Sequence, residues 1–265
     1  MDFLMAIDWS ISPEIFKLGP FSIRWYGLLF ALAFILDYQI MAWVFKKENK
    51  DIRVLEGLTV AVILGTVIGA RLGHCLFYEP AYYLANPLRI LEVWKGGLAS
   101  HGGALGILIA VWIFVKRQNN KIDFVWTLDR LAIPIAITSV LIRLGNLMNS
   151  EIIGRQADVP WAFIFTSVDL VPRHPSQLYE ALAYLITFLF LSFRYIKLKG
   201  IIPSGSQLGY ALILIFSSRI FLEYFKENQA AFENGMAWNM GQLLSLPFIA
   251  FGVFLVIKGK DLKIR

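Results

Sequence analysis

The chain has 265 residues, of which 57% are hydrophobic and 17% are charged, and its formal net charge is +6 at pH 7. A soluble domain carries about 45–50% apolar and about 25% charged residues, so this composition excludes an ordinary soluble protein and indicates a membrane protein. In that class a basic excess marks cytoplasmic loops, and we expect no nucleic-acid partner. The acidic N-terminal stretch has no basic n-region, so we expect no cleaved signal peptide.

Seven apolar segments are long enough to cross a bilayer, which requires about 20 residues. In chain order, the predicted membrane-spanning helices are 21–45, 57–78, 98–116, 124–147, 176–196, 206–225 and 241–258. The stretch 79–97, with its tyrosine, tryptophan and proline residues, is too polar to span, and we expect it to lie along a membrane interface. The sequence therefore predicts an all-α polytopic membrane protein with a single integral membrane domain over residues 1–265.

The basic residues predict the orientation of these spans. Loops 46–56, 116–123 and 194–203 and the C-terminus together carry fourteen lysines and arginines, whereas the alternate side carries six. The positive-inside rule then places the N-terminus outside and the C-terminus in the cytoplasm, with small loops facing the periplasm. An odd number of spans agrees with this orientation.

Polar side chains are concentrated in the predicted outer halves of the spans. The outer residues are Arg24, Tyr26, Arg71, His74, His101, Arg143, Asn146, Gln177, Tyr179, Glu180, Arg219, Glu223 and Gln242, and the inner ones are Asp37, Asp129 and Arg130. Charge inside a membrane is costly and usually marks a functional site. Extension of helix-end charges to the headgroups would account for Arg24 and Arg71, but poorly for Arg219 and Glu223, whose spacing forms an intrahelical pair. We therefore predict one outward-facing polar cavity.

Two glycine pairs flank His101 in the segment GGLASHGGALG, residues 96–106. If Gly102 and Gly103 open the third span, their backbone N–H groups lie at a helix N-terminus, which attracts anions. We therefore expect both glycines to bind substrate, and close helix packing of small residues is the alternative. His101 has the chemistry of a general base or of a hydrogen-bond donor to a headgroup.

Two arginines have side chains that suit an anionic phospholipid headgroup. Arginine forms bidentate, charge-assisted hydrogen bonds to phosphate and keeps its charge, so we assign this role to Arg143 and Arg219. Glu151 and Glu223 are expected to orient them through ion pairs. The alternative is a purely structural network of arginines and glutamates.

Neutral polar residues accompany the arginines. Asn146 and Asn149 add donors and acceptors at a similar depth, and Gly154 suits a chain reversal. The segment PRHPSQLYEAL, residues 172–182, leads into the fifth span, and helix capping explains much of it. Gln177 and Tyr179 remain candidates for substrate contact.

We expect no metal and no cofactor. The three histidines, His74, His101 and His174, have unhelpful spacings and no HExxH helix is present. The single cysteine, Cys75, excludes an internal disulfide and a cysteine-ligated metal site. Its neighbours are apolar, so we expect an inert packing residue.

Taken together, these segments resemble the bacterial prolipoprotein diacylglyceryl transferase family. The resemblance covers nearly the whole chain in the same order, and RLGNLMNSEIIG, residues 143–154, matches a family signature. The other matching segments are WYG 25–27, HGGALG 101–106, RHPSQLYE 173–180, RIFLE 219–223 and MGQLLSLP 240–247. Functional positions of the family fall here on Tyr26, His101, Arg143, Asn146, Glu151, Gly154, Arg219 and Glu223. Members often have a further arginine where this chain has Lys226, which keeps the charge but lacks the bidentate fork.

The resemblance implies an inner-membrane enzyme with seven helices and its active site toward the periplasmic face. Its expected partners are phosphatidylglycerol, the lipobox segment of a preprolipoprotein and the lipid bilayer. The enzyme would transfer the diacylglyceryl group of phosphatidylglycerol to the lipobox cysteine, forming a thioether and releasing glycerol phosphate, as the first step of lipoprotein maturation.

The residues suit this chemistry, with Tyr26, His101, Arg143 and Arg219 as the expected catalytic set. The two arginines would stabilise charge on the leaving phosphate. The substrate supplies the thiol, for which His101 is the nearest obvious base. A field of arginines that lowers the thiol pKa is the alternative.

A transporter of an anionic solute is the main competing class. Transporters place their sites near the membrane midplane at broken helices, often with an internal repeat, whereas the polar groups here crowd one side. An intramembrane serine protease is disfavoured, because the serines at 203–207 lie at the predicted cytoplasmic end of the sixth span.

Overall fold

The computed structural model describes residues 6–19, 21–93, 96–118, 121–227, 236 and 238–261. The fold is mostly helical. Its helices are α1 (Trp25–Lys47), α2 (Ile52–Phe77), α3 (Pro80–Ala85), α4 (Ser100–Lys116), α5 (Phe124–Met148), α6 (Ser176–Lys197), α7 (Ser206–Leu222) and α8 (Met240–Asp261). Its strands are β1 (Ile7–Trp9), β2 (Glu14–Leu18), β3 (Phe21–Arg24), β4 (Phe163–Phe165) and β5 (Pro172–Arg173). Short 3-10 helices follow at Pro87–Leu91 and Glu223–Phe225.

Six helices among the described residues are long and apolar enough to cross a membrane. They are α1, α2, α5, α6, α7 with the 3-10 turn that extends it, and α8. Helix α4 is apolar but has 17 residues, which at 1.5 Å per residue gives about 26 Å, short of a hydrocarbon core of about 30 Å. Six of the seven predicted spans are therefore confirmed as helices of spanning length.

The prediction of an all-α fold missed the strands. Strand β1 pairs in parallel with β4, which pairs antiparallel with β5, and β2 and β3 form an antiparallel hairpin. Each strand has only two to five residues, too few for an alternating pattern to stand out. The hairpin also corrects the start of the first span, because residues 21–24 are extended and Arg24 lies opposite Glu14, with Nη2 3.7 Å from its Oε1.

The chain forms two compact units, one of Met1–Ile40 with Leu128–Arg265 and one of Met41–Thr127. In the second unit, α2 and α4 pack closely through glycines. A Cβ added to Gly69 would lie 2.7 Å from the Cα of Gly106, and one added to Gly73 would lie 2.7 Å from the Cα of Gly102. Small residues at this spacing let two helix backbones approach.

The polar residues of the predicted inner halves hold helices together in the first unit. The buried carboxylate of Asp129 accepts hydrogen bonds from the backbone N–H groups of Gly205, Gln207 and Leu208, at 2.7, 3.0 and 2.9 Å. It thereby satisfies the free donors at the start of α7. Asp37 accepts a 2.8 Å hydrogen bond from the hydroxyl of Thr138.

Candidate active site

The end of α5 and the loop after it form one hydrogen-bonded chain. Arg143 Nη1 donates to Asn146 Oδ1 at 3.3 Å, and Asn146 Nδ2 donates to Glu151 Oε2 at 3.1 Å. Asn149 Nδ2 donates to the other oxygen, Oε1, of Glu151 at 3.2 Å. The spacing of three residues places Arg143 and Asn146 on one helix face. The structure therefore brings together four of the residues predicted from the segment 143–154.

The loop after α5 has a backbone conformation that non-glycine residues rarely adopt. Ser150 and Ile152 have φ values of 54° and 55°, and for a β-branched residue this is a strained outlier. The first turn of α6 holds the loop in place, because Ser176 Oγ donates to the carbonyl oxygen of Ile152 at 2.8 Å and Gln177 Nε2 donates to that of Glu151 at 2.7 Å. Gln177 therefore positions the loop that carries Glu151.

A buried chain of four charges crosses from α5 to the end of α7. Arg143 Nε lies 3.1 Å from Glu180 Oε2, and Lys226 Nζ lies 3.7 Å from Glu180 Oε1 and 2.9 Å from Glu223 Oε2. The side chain of Glu180 is 0% exposed and that of Lys226 is 1% exposed. Arginine, glutamate, lysine and glutamate thus alternate in sign, as buried charges must when water cannot solvate them.

This chain corrects the ion pairs expected from sequence. Arg143 pairs with Glu180, and it reaches Glu151 only through Asn146. Among the described residues, Arg219 and Glu223 do not form the expected ion pair. Helix α7 ends at Leu222 and Glu223 opens a 3-10 turn, in which residues three apart lie above one another, so Glu223 faces the lysine of the chain.

Arg219 lies on the last turn of α7, and its Nε is buried without a hydrogen-bond partner among the described residues. It interacts electrostatically with Tyr184, as Arg143 and Glu180 do, and therefore belongs to their site. Tyr26, on the first turn of α1, belongs to the same site. Its ring packs on α5 so closely that a Cβ added to Gly145 would lie 2.8 Å from its Cδ2. The phenol interacts electrostatically with Arg143 and Glu151.

Gly154 is required for close approach rather than for a turn. It forms an antiparallel bridge with Lys226, and its N–H donates to the carbonyl oxygen of His174 at 3.1 Å. A Cβ at this position would lie 2.7 Å from the Cβ of His174 and 2.8 Å from the carbonyl oxygen of Phe225. The expected chain reversal therefore lies before Gly154, in the loop at Ser150.

Tyr179 forms a separate polar group beside Gly154. Its Oη accepts a 2.7 Å hydrogen bond from Trp161 Nε1 and lies 3.0 Å from His174 Nδ1. The tyrosine hydroxyl is then free to donate to a neutral imidazole. Burial lowers the pKa of His174 below its ordinary value of 6.5, which favours that neutral form.

The second unit holds the other predicted residues. His101 is exposed on the first turn of α4, stacked 5.8 Å from the ring of Tyr78 and edge-on to Phe77 at 5.9 Å. Gly102 packs against α2, as the helix-packing alternative requires. Helix α4 begins at Ser100, and the N–H of Gly103 donates to a backbone carbonyl at 3.0 Å. Gly103 therefore cannot offer its N–H to an anion, contrary to the reasoning from sequence.

Arg71 has a structural role that the sequence did not predict. Its side chain does not extend to a headgroup: the residue is 4% exposed and its guanidinium donates to four backbone carbonyls. The acceptors are Arg89, Ile90, Gly96 and Gly97, at 2.6, 2.8, 2.6 and 3.2 Å. It thus ties the 3-10 helix Pro87–Leu91 to the loop before His101. Trp94 and Lys95, which belong to the predicted interfacial stretch, lie outside the described residues.

Unsatisfied polar atoms collect in the first unit's site. Within the described part of the chain, four buried side-chain atoms lack a hydrogen-bond partner: Asn149 Oδ1, Gln177 Oε1, Glu180 Oε2 and Arg219 Nε. Glu180 Oε2 has its ion pair with Arg143 but no aligned hydrogen bond. Buried polar atoms in native proteins are nearly always paired, so these four atoms are available to a water molecule or to a polar ligand.

Comparison with known proteins points to one family. The prolipoprotein diacylglyceryl transferase family model matches residues 13–258. A phosphatidylglycerol–prolipoprotein diacylglyceryl transferase of Tolumonas auensis is 47% identical over 259 residues, which cover 97% of this chain and 99% of the relative. Proteins of the same name from Chloroherpeton thalassium and Bacteroides fragilis are 50% and 44% identical, over 97% and 99% of this chain and 96% and 99% of theirs.

Proposed function

The chain belongs to the prolipoprotein diacylglyceryl transferase family, and from this premise we propose that it moves the diacylglyceryl group of phosphatidylglycerol onto the lipobox cysteine of a preprolipoprotein. The thiol sulfur attacks the carbon of the diacylglyceryl group that is bonded to the phosphate oxygen, and the bond between that carbon and that oxygen breaks. Glycerol phosphate leaves with the bonding electrons, and the thiol proton passes to a base. The product is a thioether, and the reaction is the first step of lipoprotein maturation.

The observation that carries this proposal is the grouping of unsatisfied buried polar atoms around two arginines. Arg143 is already tied to Glu180 and Asn146, whereas the buried Nε of Arg219 has no partner among the described residues. We therefore assign Arg219 as the main ligand of the headgroup phosphate, with Arg143 beside it. Fixed guanidinium donors of this kind stabilise the charge that develops on a leaving phosphate.

Neutral side chains would bind the remainder of the headgroup. Asn149 Oδ1 and Gln177 Oε1 are buried acceptors without donors among the described residues, and the glycerol hydroxyls of phosphatidylglycerol are donors. Tyr26 would orient the headgroup from α1, since its phenol lies near the charges of Arg143 and Glu151.

His101 is the proposed base for the thiol. Its imidazole is exposed, and an imidazole accepts a proton near neutral pH. The role rests on the chemistry of the side chain and on the family resemblance. Gly102 would act only through helix packing in this proposal, and Gly103 likewise.

We further propose that α4 is a seventh span, that the N-terminus lies outside and that the C-terminus lies in the cytoplasm. Lysines at helix ends assigned to the cytoplasm cover aromatic rings, as in membrane-interface belts. Lys47 lies 4.9 Å from the ring centroid of Trp43, and Lys116 lies 3.8 Å from that of Trp112. In this proposal the chain is a single integral membrane domain of the inner membrane, and its active site faces the periplasm.

The test is peptide-dependent release of glycerol phosphate from phosphatidylglycerol vesicles that contain the purified protein. Replacing Arg219 by alanine is expected to lower the rate about 100-fold, as loss of one fixed donor to a developing negative charge does. His101→Asn is expected to lower the rate more near neutral pH than at alkaline pH, where the thiol ionises without a base. Near-normal release by Arg219→Ala and Arg143→Ala would contradict the phosphate role, and solute flux without release would favour a transporter.

A further inference from the structure

Lys226 has an unusual setting for a lysine. Its side chain is 1% exposed, and its ammonium lies 2.9 Å from Glu223 Oε2 and 3.7 Å from Glu180 Oε1. Lysine is almost never fully buried unless it is paired. Because both neighbours are negatively charged, the ammonium forms its ion pairs inside the protein. It is therefore not available to a lipid headgroup.

The backbone of the same residue fastens the loop that carries Gly154. The carbonyl oxygen of Lys226 accepts a 2.8 Å hydrogen bond from Arg155 Nε, and the residue forms the antiparallel bridge with Gly154. The N–H of Arg155 also donates to the carbonyl oxygen of Phe225 at 2.9 Å. The segment that follows α7 is therefore fixed to the segment that follows α5.

Lys226 and Arg143 share one carboxylate partner, Glu180. Glu180 is 0% exposed and stands between the two cations. If the lysine charge is removed, Glu180 and Glu223 share a buried region with one cation fewer. Two buried carboxylates in that situation repel each other and compete for a proton or for the remaining cation, so the guanidinium of Arg143 loses its fixed orientation.

We propose that Lys226 is a positioning residue that, through Glu180, fixes the guanidinium of Arg143 for the phospholipid phosphate. This inference rests on the proposed function, because it supposes that the anion bound at Arg143 belongs to phosphatidylglycerol. It gives the lysine a role in recognition of the lipid and none in recognition of the peptide.

The decisive variant is Lys226→Met in the full chain, assayed with phosphatidylglycerol and a lipobox peptide varied independently. The KM for phosphatidylglycerol is expected to rise at least about tenfold while the KM for the peptide stays within about twofold, because Arg143 contacts the lipid and not the peptide. The kcat is expected to fall as well, since the same guanidinium stabilises the leaving phosphate. Lys226→Arg restores the charge and is expected to return the lipid KM to within about threefold of the starting protein.

The matched control is Lys17→Met. Lys17 also pairs with a glutamate three residues away, Glu14, at 3.2 Å, but its side chain is 70% exposed. Exposed pairs of this kind contribute little, so both KM values should stay unchanged. If Lys226→Met does not fold, the double variant Glu223→Gln/Lys226→Met removes the pair without leaving an extra charge, and it is compared with Glu223→Gln alone.

A lipid KM that does not change in the folded variant would overturn the inference, as would a fall in kcat alone that follows the folded fraction. A rise in both KM values would also overturn it, because the effect would then not be confined to the lipid. Affinity for phosphatidylglycerol without peptide separates this from the proposed function. Absence of transfer by the unmodified protein refutes the function, whereas equal lipid affinity of the unmodified protein and Lys226→Met refutes the positioning role.

Discussion

Replacement of Gly154 by alanine is predicted to damage both stability and activity. The added Cβ would lie 2.7 Å from the Cβ of His174 and 2.8 Å from the carbonyl oxygen of Phe225, about 1 Å inside the usual carbon contact of about 3.5–4.0 Å. Neither neighbour is the flexible end of a side chain, so the backbone segments must separate. Separation stretches the hydrogen bonds from the N–H of Gly154 and from that of Arg155. Overpacking costs about 1–3 kcal/mol and two backbone hydrogen bonds add about 2 kcal/mol.

The predicted loss is therefore about 3–5 kcal/mol, by addition of those two ranges. A displacement of about 1 Å near Glu151 also lowers the rate of transfer by about 100-fold. Thermal unfolding in detergent and the transfer rate at a temperature where the variant is folded measure the two effects separately. Gly27→Ala is the matched control, because a Cβ there meets nothing within 4 Å. A Gly154→Ala protein with unchanged unfolding temperature and rate would refute the steric argument.

Three further predictions concern residues outside the reaction itself. Asp129→Asn should lower the free energy of unfolding by about 3 kcal/mol, because an amide N–H then faces one of the three backbone donors at the start of α7; unchanged denaturation would contradict this. Arg71→Lys should speed amide exchange in the 3-10 helix Pro87–Leu91, because one ammonium cannot reach carbonyls on both sides, and equal exchange would refute it. Because burial holds the pKa of folded His174 below 6.5, the contribution of His174 to the free energy of unfolding is fully present above about pH 6.5. This contribution is lost as the pH falls through the pKa of the folded state. His174→Gln should weaken that acid loss of unfolding temperature, and parallel pH profiles would count against the tautomer assignment.

The local part of the site could be predicted from sequence. Arg143, Asn146, Asn149 and Glu151 lie within nine residues, and helix geometry alone brings the first two to one face. In the structure these four side chains form one hydrogen-bonded chain. The grouping with Arg219 was predicted from a shared depth in the membrane, and it is the unsatisfied Nε of that residue that supports its function.

The partners of these residues could not be predicted, because tertiary packing decides them. The carboxylate that pairs with Arg143 belongs to Glu180, which lies 37 positions further along the chain. Lys226, the second cation at that carboxylate, lies another 46 positions on. The sequence indicated that Glu180 lies in the polar outer half of a span, but it did not indicate which cation pairs with Glu180. The 3-10 turn at Glu223 likewise overrides the helical spacing that predicted its pair with Arg219.

The predicted inner charges illustrate the same limit in the other direction. A charged residue within a span usually indicates a functional site. The carboxylate of Asp129 instead accepts hydrogen bonds from the backbone N–H groups at the start of α7. Arg71 looked like a helix-end charge and instead binds four carbonyls. In both cases backbone groups far away in sequence are the partners, and their exposure cannot be judged until the chain is folded.

The most direct test of the central claim is the mass of a lipobox peptide after incubation with the purified protein and phosphatidylglycerol. The proposed function predicts a gain equal to one diacylglyceryl group, located on the cysteine, that is absent when this cysteine is serine and strongly reduced with Arg219→Ala protein. An unmodified peptide, in the presence of folded protein and bound phosphatidylglycerol, would contradict the assignment of this chain as a diacylglyceryl transferase.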